Sequence, residues 1–121
     1  MINLKMKREF EKEATIALYE CSNLPKNIEE MKDLLAEVAR LTKLNVLTTC
    51  EYQHKGGGGK SLVAIVEESL IALDEWPEYR TFIIRIASCN PNSDFRIVES
   101  YAREKLKCKK SNLYERKIPL Y

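Results

Sequence analysis

Residues 61–89 read SLVAIVEESLIALDEWPEYRTFIIRIASC, and this stretch decides the fold. It contains three short apolar runs, Ser61 to Val66, Ser69 to Leu73 and Thr81 to Ser88. Runs this short and this rich in Val, Ile and Phe read as strands. Only Glu67-Glu68 separates the first two, and the turn-like Asp74-Glu75-Trp76-Pro77-Glu78-Tyr79 separates the last two. Connections of this length join antiparallel neighbours, because a parallel crossover needs a dozen or more residues.

Upstream, Thr15 to Cys21 (TIALYEC) and Asn45 to Tyr52 (NVLTTCEY) also read as strands. Between them Asn27 opens a helix, with Glu30 three residues on as in an N-terminal capping box. Ile28, Met31, Leu34, Leu35, Val38 and Leu41 follow at helical spacing. Gly56 to Gly59 form a flexible break between strands. Downstream, Asn90-Pro91-Asn92-Ser93 is a loop in which Ser93 is the expected N-cap. The second helix is expected from Asp94 to Lys107, with Ile97, Val98, Tyr101, Ala102 and Leu106 on one face. A last strand spans Asn112 to Ile118. The order is β-α-β-β-β-β-α-β. Each helix carries one apolar stripe, so both should lie on one face of a single sheet. The expected fold is α+β, a two-layer sandwich of a largely antiparallel sheet with two helices on one face. The run SLVAIV alternates too little for a face in water. A homodimer that stacks sheet on sheet would cover the second face and give a four-layer αββα sandwich.

The 121 residues fit a single domain over 1–121. A hydrophobic fraction of 45% and a charged fraction of 31% exclude a disordered chain. Twenty basic against eighteen acidic residues leave a net charge of +2, which gives no electrostatic case for nucleic acid. No apolar run approaches the ~20 residues that span a bilayer, so no membrane is expected. The opening MINLKMKREFEKE is too charged for a signal peptide, so the chain is expected to be soluble and cytoplasmic.

Cys21, Cys50, Cys89 and Cys108 form no CxxC pair. With no secretion signal, buried thiols are expected for at least three of them rather than a disulfide framework. The lone His54 reads as a surface loop residue, and neither it nor the cysteines have the spacing of a metal site. GGGGKS invites a phosphate-loop reading. That pattern needs Gly where His54 stands and a helix after the loop. The strand-like SLVAIV follows instead, so the glycines read as a hairpin connection.

The arrangement of Ser61, Glu68-Ser69, Trp76-Pro77-Glu78 and Cys89 resembles the small prokaryotic S-adenosylmethionine decarboxylases. In that family a Ser and a valine-rich strand precede Glu-Ser, and Trp-Pro-Glu and a strand ending in Cys follow. The spacings agree without a gap, and Tyr19-Glu20-Cys21 resembles the end of the family's first strand. Two positions depart from the family pattern. Asp74 stands where the family has His, and Leu70 follows the cleavage Ser where His is usual. The Gly run also replaces a loop that carries an aromatic residue for stacking adenine, and Tyr52 lies near but not at that place.

The resemblance implies a proenzyme. The Ser69 hydroxyl would attack the Glu68 carbonyl and form an ester. Removal of the Ser69 α-proton would eliminate that ester, and hydrolysis would leave a pyruvoyl group and ammonia. The products would be a β-chain, 1–68, and an α-chain, 69–121, with no metal needed. Ser61 would hydrogen-bond the tetrahedral intermediate, and Asp74 would act as processing base in place of His. The pyruvoyl carbonyl would then form a Schiff base with a small-molecule substrate and act as electron sink. Cys89 would protonate the substrate α-carbon, and Glu78 and Trp76 would bind substrate, Glu78 through ribose hydroxyls. The implied activity is S-adenosylmethionine decarboxylation in spermidine biosynthesis. A pyruvoyl-dependent arginine or ornithine decarboxylase on the same fold is one alternative, and an unprocessed, non-catalytic homologue is another.

Overall fold

Asn27 ends the loop before the first helix because its Oδ1 accepts the Glu30 N–H at 2.9 Å. Glu30 Oε1 reaches back to the Lys26 N–H at 3.0 Å, one residue earlier than a capping box requires. The computed structural model describes residues 10–67, 69–90 and 93–120. Helix α1 spans Ile28–Thr42 and α2 spans Phe95–Lys105. The strands are β1 Phe10–Cys21, β2 Val46–Gln53, β3 Lys60–Val66, β4 Ser69–Trp76, β5 Thr81–Ser88 and β6 Cys108–Pro119. They form one sheet in the order β2-β3-β4-β5-β1-β6, with every neighbouring pair antiparallel. The expected order of elements and the two-layer α+β architecture hold.

The register separates two faces. Leu62, Leu73, Ile84, Ile16 and Leu113 follow one another across β3, β4, β5, β1 and β6. The first four are fully buried, under α1 over β2, β3 and β4 and α2 over β1 and β6. The next row, Val63, Ala72, Arg85, Thr15 and Tyr114, points to the opposite face, since successive side chains alternate. No helix covers that face among the described residues. Val63, Ile65 and Leu70 are 41%, 54% and 42% exposed there.

Several boundaries differ from those expected. β1 starts at Phe10 rather than Thr15, because the charges that weaken the strand signal are matched in place. Glu13 accepts from Arg116 Nε at 2.8 Å, and Lys12 Nζ donates to the Ser93 carbonyl at 3.1 Å. β4 runs on through Asp74 and Glu75 to Trp76, so Asp74 is a strand residue and the turn is only Pro77–Tyr79. Asp94, not Ser93, caps α2: its Oδ1 accepts the Arg96 N–H at 3.1 Å, and Arg96 holds its carboxyl below the usual carboxylate range. Ser93 is instead buried and its Oγ lies 3.3 Å from Ser88 Oγ. Pro91 and Asn92, of the expected loop, lie outside the described residues. Ile97 is 47% exposed, so Phe95, Val98 and Ala102 make the buried face of α2.

The cysteines also depart from expectation. Cys21 and Cys108, register partners at the end of the β1–β6 ladder, form a disulfide. Cys50 and Cys89 are not disulfide-bonded. The bridge joins residues separated by 87 positions. On a chain-entropy account, closing a loop of that size destabilises the unfolded chain by on the order of 4–5 kcal/mol.

Candidate active site

β3 and β4 are joined by residues 67 and 68, and their register sets Ser61 directly opposite Asp74 at the far end of the hairpin. Ser61 Oγ donates to Asp74 Oδ1 at 2.7 Å. Trp76 Nε1 donates to Asp74 Oδ2 at 3.1 Å. Both carboxylate oxygens of the half-buried Asp74 are thereby oriented. The alternation of the strand sends the neighbouring residues to the other face. There Lys60 Nζ meets Glu75 Oε1 at 2.8 Å, and the Lys60 backbone N–H donates to the same oxygen at 3.3 Å. Lys60 is 7% exposed and Glu75 4%, so this ion pair is buried. It pins the rim of β3 to β4 on the face opposite the Ser61–Asp74 pair.

The glycine run turns back against this rim. A Cβ on Gly59 would lie 1.8 Å from the Glu75 carbonyl oxygen, so only glycine permits the approach. The His54 N–H donates to the Gly59 carbonyl at 3.0 Å and closes the loop. The His54 ring meets Tyr52 edge-on, with centroids 4.8 Å apart. A hollow of about 240 Å³ results, lined by His54, Lys55, Asp74, Trp76 and Glu78 together with the loop glycines. The glycines therefore form a hairpin connection, as expected. His54, read from sequence as a plain loop residue, lines the same hollow as Asp74.

Ser69 is the first residue of β4, at the opposite end of that strand. The β4–β5 register pairs Leu70 with Ala87, and the β1–β5 register pairs Lys12 with Ser88. The start of β1, the start of β4 and the end of β5, with Cys89 just beyond it, thus meet at one end of these adjacent strands. Ser69 Oγ donates to Glu11 Oε2 at 3.3 Å. The Ser88 hydroxyl accepts the Asn90 N–H at 2.9 Å and turns the chain after the half-buried Cys89. A hollow of about 370 Å³ opens beside Ser69, lined by Glu11, Glu13, Thr15, Leu70, Arg85 and Arg116 among others. Glu68, the residue before Ser69, lies outside the described residues.

The sequence-derived site residues therefore fall into two groups. Ser61, Asp74, Trp76 and Glu78 stand at one end of β4, and Ser69 with Cys89 at the other. Ser69 and Asp74 are five residues apart on one strand, which is roughly 17 Å at about 3.4 Å per residue. One chain does not bring the two groups together. Glu11, Arg85 and Arg116 were not singled out from sequence. Arg85 did carry a signal, as the one charge inside the apolar run TFIIRIAS. Glu11 carried none, because its nearness to Ser69 depends on a pairing between distant segments.

The family model described as S-adenosylmethionine decarboxylase matches residues 12–117. An S-adenosylmethionine decarboxylase proenzyme from Saccharolobus islandicus is 33% identical over 100 residues, covering 82% of this chain and 80% of that protein. A proenzyme of the same name from Aeropyrum pernix is 38% identical over 86 residues, covering 66% and 65%. An arginine decarboxylase proenzyme from Hyperthermus butylicus is 34% identical over 67 residues, covering 54% and 47%. The crystal structure of the adenosylmethionine decarboxylase from Aquifex aeolicus superposes with a TM-score of 0.79 at 18% identity, covering 95% of each chain.

Proposed function

The chain belongs to the S-adenosylmethionine decarboxylase family, and we propose that it cuts itself between Glu68 and Ser69 and then decarboxylates S-adenosylmethionine with a pyruvoyl group made from Ser69. The observation that carries this reading is the placement of Ser69. It follows a two-residue connection between paired strands, and its hydroxyl already donates to a carboxylate, Glu11. A short connection holds a hydroxyl close to the preceding carbonyl, and proximity of that kind lowers a barrier by several kcal/mol. Glu11 orients the Ser69 Oγ and can take its proton as that oxygen attacks the Glu68 carbonyl carbon.

The pyruvoyl group, once made, supplies a carbonyl that binds the substrate amine and draws off the electron pair left by CO2. The surrounding residues supply the rest. Cys89, half-buried just past the end of β5, gives a proton to the substrate α-carbon. Arg85 and Arg116 line the Ser69 hollow and can meet an anionic group there. Trp76 and Glu78 line the second hollow, and the Glu78 carboxylate accepts from sugar hydroxyls.

The second group reaches Ser69 from another copy of the chain. The apolar side chains Val63, Ile65 and Leu70 on the uncovered face support a homodimer that stacks these faces. A two-fold axis lying between the sheets and across the strands reverses one β4 over the other. The Ser61–Asp74 pair of one protomer then faces the hollow beside Ser69 of its partner, where Asp74 is the processing base. Asp74→Asn is expected to slow cleavage by about 10²–10⁴-fold, the usual scale for losing a positioned base. Asp74→His should cleave, because imidazole both takes and gives a proton near neutral pH. Co-expression of Asp74→Asn with an uncleavable Ser69→Ala chain places an intact Ser69 opposite an intact Asp74 in each mixed dimer. The Asp74→Asn chain should then be cut, as read by fragment masses after reduction. Failure to cut it, or a monomer in light scattering, would exclude the shared site.

The similarity to an arginine decarboxylase proenzyme favours arginine as the second substrate to consider. The test is CO2 release from carboxyl-labelled S-adenosylmethionine and arginine by the purified full chain. Fragment masses are taken in parallel under reducing, denaturing conditions. Release from S-adenosylmethionine with fragments divided at Glu68–Ser69 supports the proposal. Release from arginine alone moves the substrate, and an uncut, inactive chain overturns the enzyme reading.

A further inference from the structure

We propose that the Cys21–Cys108 disulfide becomes an interchain bridge, which holds residues 1–68 and 69–121 in one covalent species after self-cleavage. The inference rests on the cleavage reading above and extends it to the architecture of the mature protein. Cys21 lies on the N-terminal side of Glu68–Ser69 and Cys108 on the C-terminal side. They are register partners on β1 and β6, so the bridge joins a strand of one fragment to a strand of the other.

The sheet order sharpens the point. β1, β2 and β3 belong to the first fragment and β4, β5 and β6 to the second. β1 nevertheless sits between β5 and β6, so cutting the chain leaves two interleaved pieces. Among the described residues β6 is an edge strand whose ladder neighbour is β1. The bridge locks that edge at the point where the cut fragments depend on noncovalent pairing. Cys21 is 2% exposed and Cys108 8%, which shields the sulfurs from exchange with small thiols. Forming the bond removes one hydrogen from each thiol. Dioxygen or a small-molecule disulfide accepts the two electrons and two protons.

The bridge is remote from the chemistry. Cys21 ends β1, ten residues from the Glu11 that meets Ser69, roughly 34 Å along an extended strand. Reduction should therefore leave turnover at room temperature unchanged. It should lower the melting temperature of the cut protein and make it depend on concentration, because two separate chains must then find each other.

Intact mass of the full chain tests this, with thiols blocked by N-ethylmaleimide in denaturant. Without reductant the expected result is one species near 14.0 kDa carrying two labels, on Cys50 and Cys89. With reductant and fresh label it should separate into two fragments divided at Glu68–Ser69. Two fragments already present without reductant would overturn the bridge while leaving the cleavage reading intact. A chain that stays whole after reduction would overturn the cleavage reading and the interchain character with it. The label count, two or four, would then still show whether the intrachain bond exists.

Discussion

Ser69→Ala will leave a single uncut chain under reducing conditions and will release no CO2 from S-adenosylmethionine or arginine. Alanine has no oxygen to attack the Glu68 carbonyl, so no ester forms and no pyruvoyl group follows. The folded state should hardly notice. The substitution removes one 3.3 Å hydrogen bond to Glu11, worth about 1 kcal/mol. The melting temperature should accordingly stay within a few degrees of the parent. Ser69→Cys separates nucleophile from mere bulk, because a thiol can form the corresponding thioester and should still be cut. Any CO2 release by the Ala variant above a boiled control ends the pyruvoyl reading.

Lys60→Met will be among the most damaging single changes to stability away from the apolar core. It leaves the Glu75 carboxylate, 4% exposed, without its cation. Breaking one side of a buried ion pair costs about 3–5 kcal/mol, because the remaining charge is neither solvated nor paired. For a domain of this length that is roughly a 10–20 °C fall in melting temperature. The double variant Lys60→Met with Glu75→Leu should recover most of the loss, since an apolar pair of similar volume avoids the stranded charge. Thermal melts of the two variants decide the matter. A single variant that melts with the parent would show that Glu75 finds solvent or another partner. The pair also matters for the site, as it anchors the strand ends that carry Ser61 and Asp74.

The Lys60–Glu75 pair marks the boundary of what the sequence discloses. The helix α1, its Asn27 cap and the order of strands follow from local patterns, since capping, periodicity and short connections involve near neighbours. Asp74-Glu75-Trp76 has the polarity of a turn and reads as one. It is strand because Ser61 and Lys60, thirteen and fifteen residues away, satisfy the two carboxylates. Ser93 and Asp94 are both fair caps by residue type. The choice falls to Asp94 because Ser93 is drawn inward by Ser88. The Cys21–Cys108 bond was the least legible, since sequence spacing says nothing about two strands that meet across almost the whole chain. The site divides in the same way. Ser69, Trp76, Glu78 and Cys89 are visible as a spaced pattern, while the distance that separates Ser69 from Asp74 appears only once Asp74 is known to continue strand β4 rather than to begin a turn.

The position of β1 between β5 and β6 has a consequence for how the protein is made. β1 is synthesised well before its ladder partners β5 and β6. Its contacts span most of the chain, and contacts of high sequence separation form late and slowly. The Glu11 carboxylate that orients Ser69 arrives at Ser69 only when β1 docks. A nascent chain thus carries Glu68 and Ser69 well before Glu11 can reach Ser69. If the chain cuts itself there as proposed, scission would wait on completion of the sheet, and the backbone would be severed only after the two halves had become mutually indispensable.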